Sequence, residues 1–304
     1  MKSQPKIFHT ISQLHTAMGQ PKPLHPLISI LNYGEAIFDP KDFEQGIILD
    51  YYKISFKTNF KGKIKYGHGF YDFEEGGMSF VSPGQILKMQ DEEADYNGMS
   101  LHIHPDFIRP YSLNTNIKKY GFFGYSASEA LYLSEKEKDT ILGVFVSIRN
   151  ELNERIDNFS QDVIISQIEL LLNYSNRFYN RQFITRKAVN HDVLAKLENL
   201  IDAYFNDEKT LLNGVLTVQF LADELNLSPR YLSDLLRNLC GQNTQQFIHD
   251  KLIEKAKEYI VNGTFSVSEI GYKLGFEHPQ SFNKLFKKKT NLSPVAFKEL
   301  FNKN

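Results

Sequence analysis

The amino-acid sequence predicts an α+β protein with a β-rich amino-terminal part and a helical carboxyl-terminal part. Two observations predict this class. Short runs of period two, separated by Gly, Pro, Asn and Asp, fill residues 28–125, whereas apolar residues after Ser134 recur every three or four positions. The 304 residues, 41% of them hydrophobic, are enough for two cores. We expect a first domain over 1–180, a polar linker over 181–191 and a second domain over 192–304.

Alternation is clearest in two runs of the β region. In the first, apolar residues alternate with Lys53, Ser55 and Lys57, so we expect the apolar face to be dry and the polar face to be wet. In the second, aromatic residues and a histidine share an inward face, where the mouth of a barrel would bind a small ligand; a histidine satisfied within the core is the alternative. This candidate ligand site comprises Tyr66, His68 and Phe70. Turn signals between the runs predict an antiparallel sandwich or barrel.

A helical hairpin is predicted over residues 134–180. Ser134 and Glu137 form a capping box, and apolar stripes follow on both sides of a break at 157–160. The stripes are expected to pack on each other and on a second subunit, although packing on the β domain alone is equally compatible. The predicted homodimer residues are Ile141, Phe145, Ile148, Leu152, Ile164, Ile168 and Leu171.

The carboxyl-terminal domain contains an internal duplication, 217–240 and 266–289. In each copy a capping Thr or Ser precedes a short helix, and a second helix opens with a proline, Pro229 or Pro279. Each copy predicts a helix-turn-helix, and the helix between them, Thr244 to Val261, is expected to act as a rigid spacer of about 27 Å. One chain would then reach two successive major grooves of DNA.

The outer faces of the two second helices carry side chains that bind base edges and phosphates. The candidate DNA-binding residues are Arg230, Ser233, Asp234, Arg237, Gln280, Ser281, Asn283, Lys284, Lys287 and Lys288. Arg237, Lys287 and Lys288 suit phosphates, and Arg230, Ser233, Gln280, Ser281 and Asn283 suit bases. Asp234 either accepts from a cytosine amine or holds Arg230 and Arg237 in ion pairs. Seven lysines against two glutamates from Tyr272 to the end make this segment basic, although the whole chain has a net charge of −1.

The segment from Ile270 to Lys298 resembles the AraC/XylS family of bacterial transcription regulators. The resemblance is carried by Gly275-Phe276, Phe282, Phe286-Lys287-Lys288, Ser293-Pro294 and Phe297-Lys298. It implies a cytoplasmic regulator that binds specific double-stranded DNA, with a cupin-like β domain and a helical dimerisation hairpin before the DNA-binding part. A small-molecule effector and RNA polymerase are the further partners that it suggests.

Other classes of function find less support. His102 and His104 share a strand face that is expected to point away from the core, and no matching carboxylate follows them, so neither a metal nor another cofactor is predicted. No phosphate-binding loop or nucleophile motif indicates an enzyme, and no apolar run is long enough to span a membrane. A cupin-type metalloenzyme with an accessory DNA-binding tail is one alternative, and a regulator controlled by a protein partner is the other.

Overall fold

The protein is described by a computed structural model that covers residues 4–37, 45–59, 63–66, 69–72, 76–87, 97–126, 129–154, 157, 159–185, 187–206 and 209–301. The chain divides into two compact units, 1–182 and 183–304. Within the described ranges, no helix combines the length and the apolar content needed to cross a bilayer. The mixed α+β class is confirmed, with the sheets in the first unit and helices in the second.

The first unit contains the described strands. Its regular structure begins before the β region expected over 28–125, with a strand and a short helix ahead of residue 28. The strands are β1 (Lys6–Phe8), β2 (Ile28–Asn32), β3 (Ile47–Leu49), β4 (Tyr52–Asn59), β5 (Lys63–Tyr66), β6 (Gly69–Asp72), β7 (Gly77–Val81), β8 (Ile86–Leu87), β9 (Asn97–Ile103) and β10 (Leu131–Tyr132). Its helices are α1 (Ile11–Ala17), α2 (Pro105–Ile108), α3 (Leu113–Asn116), α4 (Glu135–Asn153) and α5 (Ser160–Thr185). The sheets have the orders β1-β3-β8, β10-β7-β4-β9-β2 and β5-β6.

Both faces of the five-stranded sheet are covered. Its apolar face packs against helix α4, where the ring of Phe56 lies 5.9 Å from the ring of Phe145 in a tilted arrangement. The other face carries Lys53, Ser55 and Lys57 of β4 beside Ser100 and His102 of β9; we call these five residues the polar face. Leu31, on the same side of the sheet, packs with Phe8, Leu49 and Tyr51. The prediction that Lys53, Ser55 and Lys57 face solvent is therefore wrong: Ser55 is buried and both lysines are half-buried.

His102 and His104 also differ from expectation. His102 was expected to point away from the core, but its side chain is 1% exposed because a second layer covers the polar face. His104 lies just beyond β9, where its Nδ1 accepts a hydrogen bond from Asp106 N at 3.2 Å and so caps α2. The two rings therefore do not form a pair of metal ligands on one exposed strand face.

The predicted ligand site falls on a hairpin. Tyr66 ends β5 and Phe70 lies in β6, and the ladder pairs Tyr66 with Gly69 and Lys65 with Phe70. His68 lies outside the described residues. Tyr66 and Phe70 thus occupy neighbouring rungs of two antiparallel strands, and the prediction that they share one strand is wrong.

Helices α4 and α5 begin where the sequence indicated, with Ser134 N donating to Glu137 Oε2 at 2.8 Å. Their apolar stripes pack inside the unit. Six of the seven predicted dimer residues are buried within the single chain, and Leu152 is half-exposed: the buried ones are Ile141, Phe145, Ile148, Ile164, Ile168 and Leu171. Because they pack in their own subunit, they do not form the proposed dimer surface.

The second unit is helical. Its helices are α6 (Lys187–Asn206), α7 (Lys209–Asn213), α8 (Val218–Leu225), α9 (Pro229–Cys240), α10 (Thr244–Asn262), α11 (Val267–Lys273), α12 (Pro279–Thr290) and α13 (Pro294–Phe301). Most of the segment 181–191 is helical rather than irregular, since α5 runs to Thr185 and α6 begins at Lys187. Helix α10 lies against α8, α9, α11, α12 and α13, and its buried stripe includes Phe247, Leu252, Ala256 and Ile260.

Candidate nucleic-acid interface

The duplication seen in the sequence is reproduced bond for bond at the ends of α8 and α11. In each copy one backbone N–H donates to the carbonyl five residues earlier and the preceding N–H donates three residues back. The bonds are Leu227 N to Ala222 O (2.9 Å), Asn226 N to Asp223 O (3.1 Å), Phe276 N to Gly271 O (3.0 Å) and Gly275 N to Tyr272 O (2.9 Å). Such bonds satisfy the last carbonyls of a helix and turn the chain sharply. Both helix-turn-helix copies therefore make the same turn.

The helix starts are capped as the sequence predicted, with one difference between the copies. Thr217 Oγ1 accepts from Phe220 N at 3.1 Å, and Ser228 Oγ accepts from Tyr231 N at 3.2 Å. Ser266 and Glu269 bond reciprocally at the start of α11. His278 makes no such side-chain bond at the start of α12. Counted from the left-handed residue to the proline that opens the second helix, the stretch from Gly275 to Pro279 is one residue longer than the stretch from Asn226 to Pro229.

Gly275 is required by a close approach as well as by its backbone angle. Its φ is 89°, and the equivalent Asn226 has a φ of 54°, so a residue with a side chain is accepted in the first copy. A Cβ on Gly275, however, would lie 2.4 Å from the carbonyl carbon and oxygen of Gly214. Because that contact is with backbone, it fixes the loop before α8 against the turn of the second helix-turn-helix.

The second helix of each unit has one buried and one exposed face. Leu232, Leu235 and Leu236 are buried in α9, and Phe282 and Phe286 are buried in α12. The opposite faces are exposed at Arg230, Arg237, Gln280, Ser281, Asn283, Lys284, Lys287 and Lys288. Most of the candidate DNA-binding residues thus reach solvent on a rigid helix.

Ser233 and Asp234 are engaged within the chain. Ser233 Oγ lies 3.1 Å from Thr244 Oγ1 at the start of α10, so its hydroxyl already has a partner. Asp234 bonds Arg237 and lies 3.5 Å from Arg230 Nε, which places its carboxylate between two guanidinium groups. Of the two roles expected for Asp234, the structure thus shows the ion-pair arrangement.

The last turn of α12 carries Lys287, Lys288 and Lys289. Their positive charges interact favourably with the negative end of the helix dipole. Lys289 is paired with Asp250 of α10. Within the described part of the chain, Lys284, Lys287 and Lys288 make no ion pair. Their charge therefore remains accessible to an external anion.

The helix-turn-helix region of this chain is similar to that of known regulatory proteins. A family model described as a helix-turn-helix domain matches residues 221–299. The chain is 26% identical over 121 residues to the regulatory protein PocR of Salmonella typhimurium, covering 40% of this chain and 38% of PocR. It is 22% identical over 293 residues to the Msm operon regulatory protein of Streptococcus mutans, covering 91% and 94% of the two chains. The carboxyl-terminal unit contains an AraC/XylS-type helix-turn-helix domain.

Part of the chain also aligns with a solved domain. The carboxyl-terminal domain of the response regulator yesN from Fusobacterium nucleatum is 26% identical, with a TM-score of 0.31, and the match covers 35% of this chain and 98% of that one. The chain spans less than half the length of PocR, so the likeness to that relative concerns the AraC/XylS-type domain alone.

The other candidate site residues lie in the first unit. Tyr66 and Phe70 lie in the antiparallel ladder of β5 and β6. Among the described residues, no three His, Cys, Asp or Glu side chains gather as metal ligands would. Sequence reasoning missed the polar face, whose only signal was the alternation of Lys53, Ser55 and Lys57.

Replacing Gly275 by Ala should destabilise the AraC/XylS-type domain by at least about 3 kcal/mol, because the methyl group meets the Gly214 backbone as well as an unfavourable φ. Gly241→Ala is the matched control: its φ is 72° and nothing lies within 4 Å, so a loss of about 1 kcal/mol is expected. Urea unfolding followed by far-ultraviolet circular dichroism measures both variants. Equal losses would show that the Gly214 contact is unimportant.

Asp234→Asn should strengthen binding to DNA of any sequence and steepen its salt dependence by about one unit, because two guanidinium groups lose a neutralising carboxylate. Asp202→Asn, at an exposed position of α6, controls for the charge change. The measurement is fluorescence anisotropy with labelled duplexes over a series of salt concentrations. Loss of preference at one cytosine, with no general gain in affinity, would instead assign Asp234 to base reading.

Proposed function

We propose that this protein is a sequence-specific DNA-binding transcriptional regulator, controlled by a small molecule that binds its β unit. The observation that carries the proposal is the pair of structurally equivalent helix-turn-helix units, packed on one helix and each presenting an exposed polar face. The AraC/XylS-type match and the names of the two relatives, both regulatory proteins, support it.

The geometry supports a division of roles along the two outer faces. Arg237, Lys287 and Lys288 are cationic and exposed near the ends of α9 and α12, where they suit phosphates on either side of a groove. Arg230, Gln280, Ser281 and Asn283 lie near the helix starts and suit base edges. Helix α10, with 19 residues, is about 28 Å long, which is close to the separation of successive major grooves. One chain would thus read two neighbouring grooves, and RNA polymerase is a candidate partner beside them.

Lys287→Ala should weaken binding to every duplex and lower the salt dependence by about one unit, because one phosphate contact is lost. Gln280→Ala should relax preference at one base position while leaving the salt dependence unchanged. Binding is measured by electrophoretic mobility shift with a selected site, its single-base variants and random duplex. Lys196→Ala, exposed on α6, serves as the charge control. The absence of any sequence preference in the wild-type protein would contradict the proposed function.

We also propose a homodimer through the outer faces of α4 and α5. Leu142, Val163 and Leu170 are exposed there, at 38%, 39% and 45%, although they are large apolar residues. They lie outside the stripes that pack into the unit, and a second copy of the same helices would cover them. This surface replaces the buried residues that the sequence pattern suggested.

The double substitution Leu142→Glu and Leu170→Glu should yield a monomer in sedimentation velocity, because four like charges would meet across the interface of two chains. Leu24→Glu, at a site 69% exposed elsewhere in the unit, should leave the dimer intact. A wild-type protein that sediments as a monomer at every concentration would reject this interface.

A further inference from the structure

A cavity of about 220 Å³ lies in the first unit, beside β2 at the edge of the five-stranded sheet. It is lined by β2, by Met99 of β9, by the segment 20–25 that precedes β2 and by the end of α4. Since a cavity of about 150 Å³ can hold benzene, this one has room for an organic molecule of roughly nine non-hydrogen atoms. The cavity therefore has the size of a small metabolite.

The segment 20–25 is held in place by hydrogen bonds and by prolines. His15 Nδ1 donates to Pro21 O at 2.7 Å, and His25 Nδ1 accepts from Leu27 N at 3.1 Å. Pro21 and Pro23 further restrict the backbone, because the ring of each fixes φ. A molecule that enters the cavity thus meets a wall that is already shaped, so its binding does not have to offset the ordering of a loop.

The lining carries charges of both signs that are not paired with each other. Arg149 of α4 and Lys22 are exposed, and no described residue forms an ion pair or a hydrogen bond with their charged groups. Glu35 Oε1 accepts a hydrogen bond from Asn32 Nδ2 at 2.9 Å, and this carboxylate makes no ion pair within the described part of the chain. Burial lowers the pKa of His25, so its ring adds no positive charge at neutral pH.

Hydrocarbon makes up another part of the lining. Ile28 and Met99 are buried, whereas Ile30 and Leu152 are half-exposed. Leu152 is the last member of the apolar stripe of α4, whose earlier members pack inside the unit. A molecule with an apolar part would remove the exposed area of Ile30 and Leu152 from water, which favours binding. The cavity thus combines an unpaired cation, a carboxylate and an apolar surface.

We propose that this cavity binds an α-amino acid with an apolar side chain. Arg149 donates to the carboxylate of the amino acid, Glu35 accepts from its ammonium group, and its side chain lies against Ile30 and Leu152. A zwitterion satisfies both charges of the lining, whereas a simple anion would meet Glu35 and a simple amine would meet Arg149 and Lys22. This inference rests on the proposed function, because it specifies the chemical class of the small molecule that binds the β unit.

The test uses the full-length protein and two matched sets of probes. L-leucine is compared with 4-methylpentanoate, which lacks the ammonium group, and with 3-methylbutylamine, which lacks the carboxylate. L-phenylalanine is compared in the same way with 3-phenylpropanoate and 2-phenylethylamine. Thermal unfolding at increasing concentrations of each probe gives its apparent affinity, since a ligand that binds the folded state raises Tm. At least one of the two amino acids should bind at least tenfold more tightly than both of its analogues.

Variants locate the effect through opposite responses to the analogues. Arg149→Met should weaken binding of the amino acid about tenfold without weakening binding of the amine, because only the partner of the carboxylate is removed. Glu35→Gln should also weaken binding of the amino acid about tenfold, but should strengthen binding of the analogue without an ammonium group, because a like charge is removed. Lys136→Met and Asp139→Asn, exposed on α4 outside the lining, should bind as the wild type does. Since all four positions are exposed, the variants should fold normally.

The other outcomes each reject the inference. Equal affinity for an amino acid and its analogue without an ammonium group would make the ligand a simple anion. Equal losses in the two control variants would mean that the cavity is not where the amino acid binds, and no change of Tm with either amino acid would exclude this class of ligand. DNA recognition is measured separately and without these probes, so failure of the inference is distinguishable from failure of the proposed function.

Discussion

Both helix-turn-helix units depend on the buried stripe of α10. Phe247, Leu252, Ala256 and Ile260 are 7% exposed or less, and α8, α9, α11, α12 and α13 pack around them. Ala256 is fully buried where neighbouring helices approach closely, so a larger side chain there would separate them. The contact between Gly214 and Gly275 adds a second connection, because it holds the loop before the first helix-turn-helix against the turn of the second. The position of the outer face of α9 relative to that of α12 is therefore set by the whole domain and not by either helix-turn-helix alone.

The carboxyl-terminal unit could be predicted well because its signals are local. An N-cap residue, a proline at the first helical position and a residue in the left-handed region each act within one turn of chain, as at Thr217, Pro229 and Gly275. The β unit depends on which layer covers which face, and that information is not local. Alternation along β4 correctly separated Lys53 from Ile54 but did not reveal that both faces are covered.

Two other errors have the same physical origin. The stripe containing Ile141, Phe145 and Ile148 correctly marked the buried side of α4, but a stripe does not specify whether its partner is a sheet or a second subunit. In the other case the sequence around His68 contains Gly67 and Gly69, a turn signal that the alternation of the flanking aromatic residues obscured. Periodicity thus indicates burial more reliably than it identifies the neighbour.

The unequal turns of the two copies have a consequence for the kind of operator that one chain can occupy. The stretch from Gly275 to Pro279 is one residue longer than the equivalent stretch from Asn226 to Pro229. The polar side chains also differ, since α9 carries arginines and an aspartate paired with them, whereas α12 carries amides and lysines. A single subunit therefore has distinct leading and trailing ends. On duplex DNA it would bind a directional sequence without internal symmetry. The order of the two DNA segments that α9 and α12 bind would therefore set the orientation of the subunit relative to a promoter.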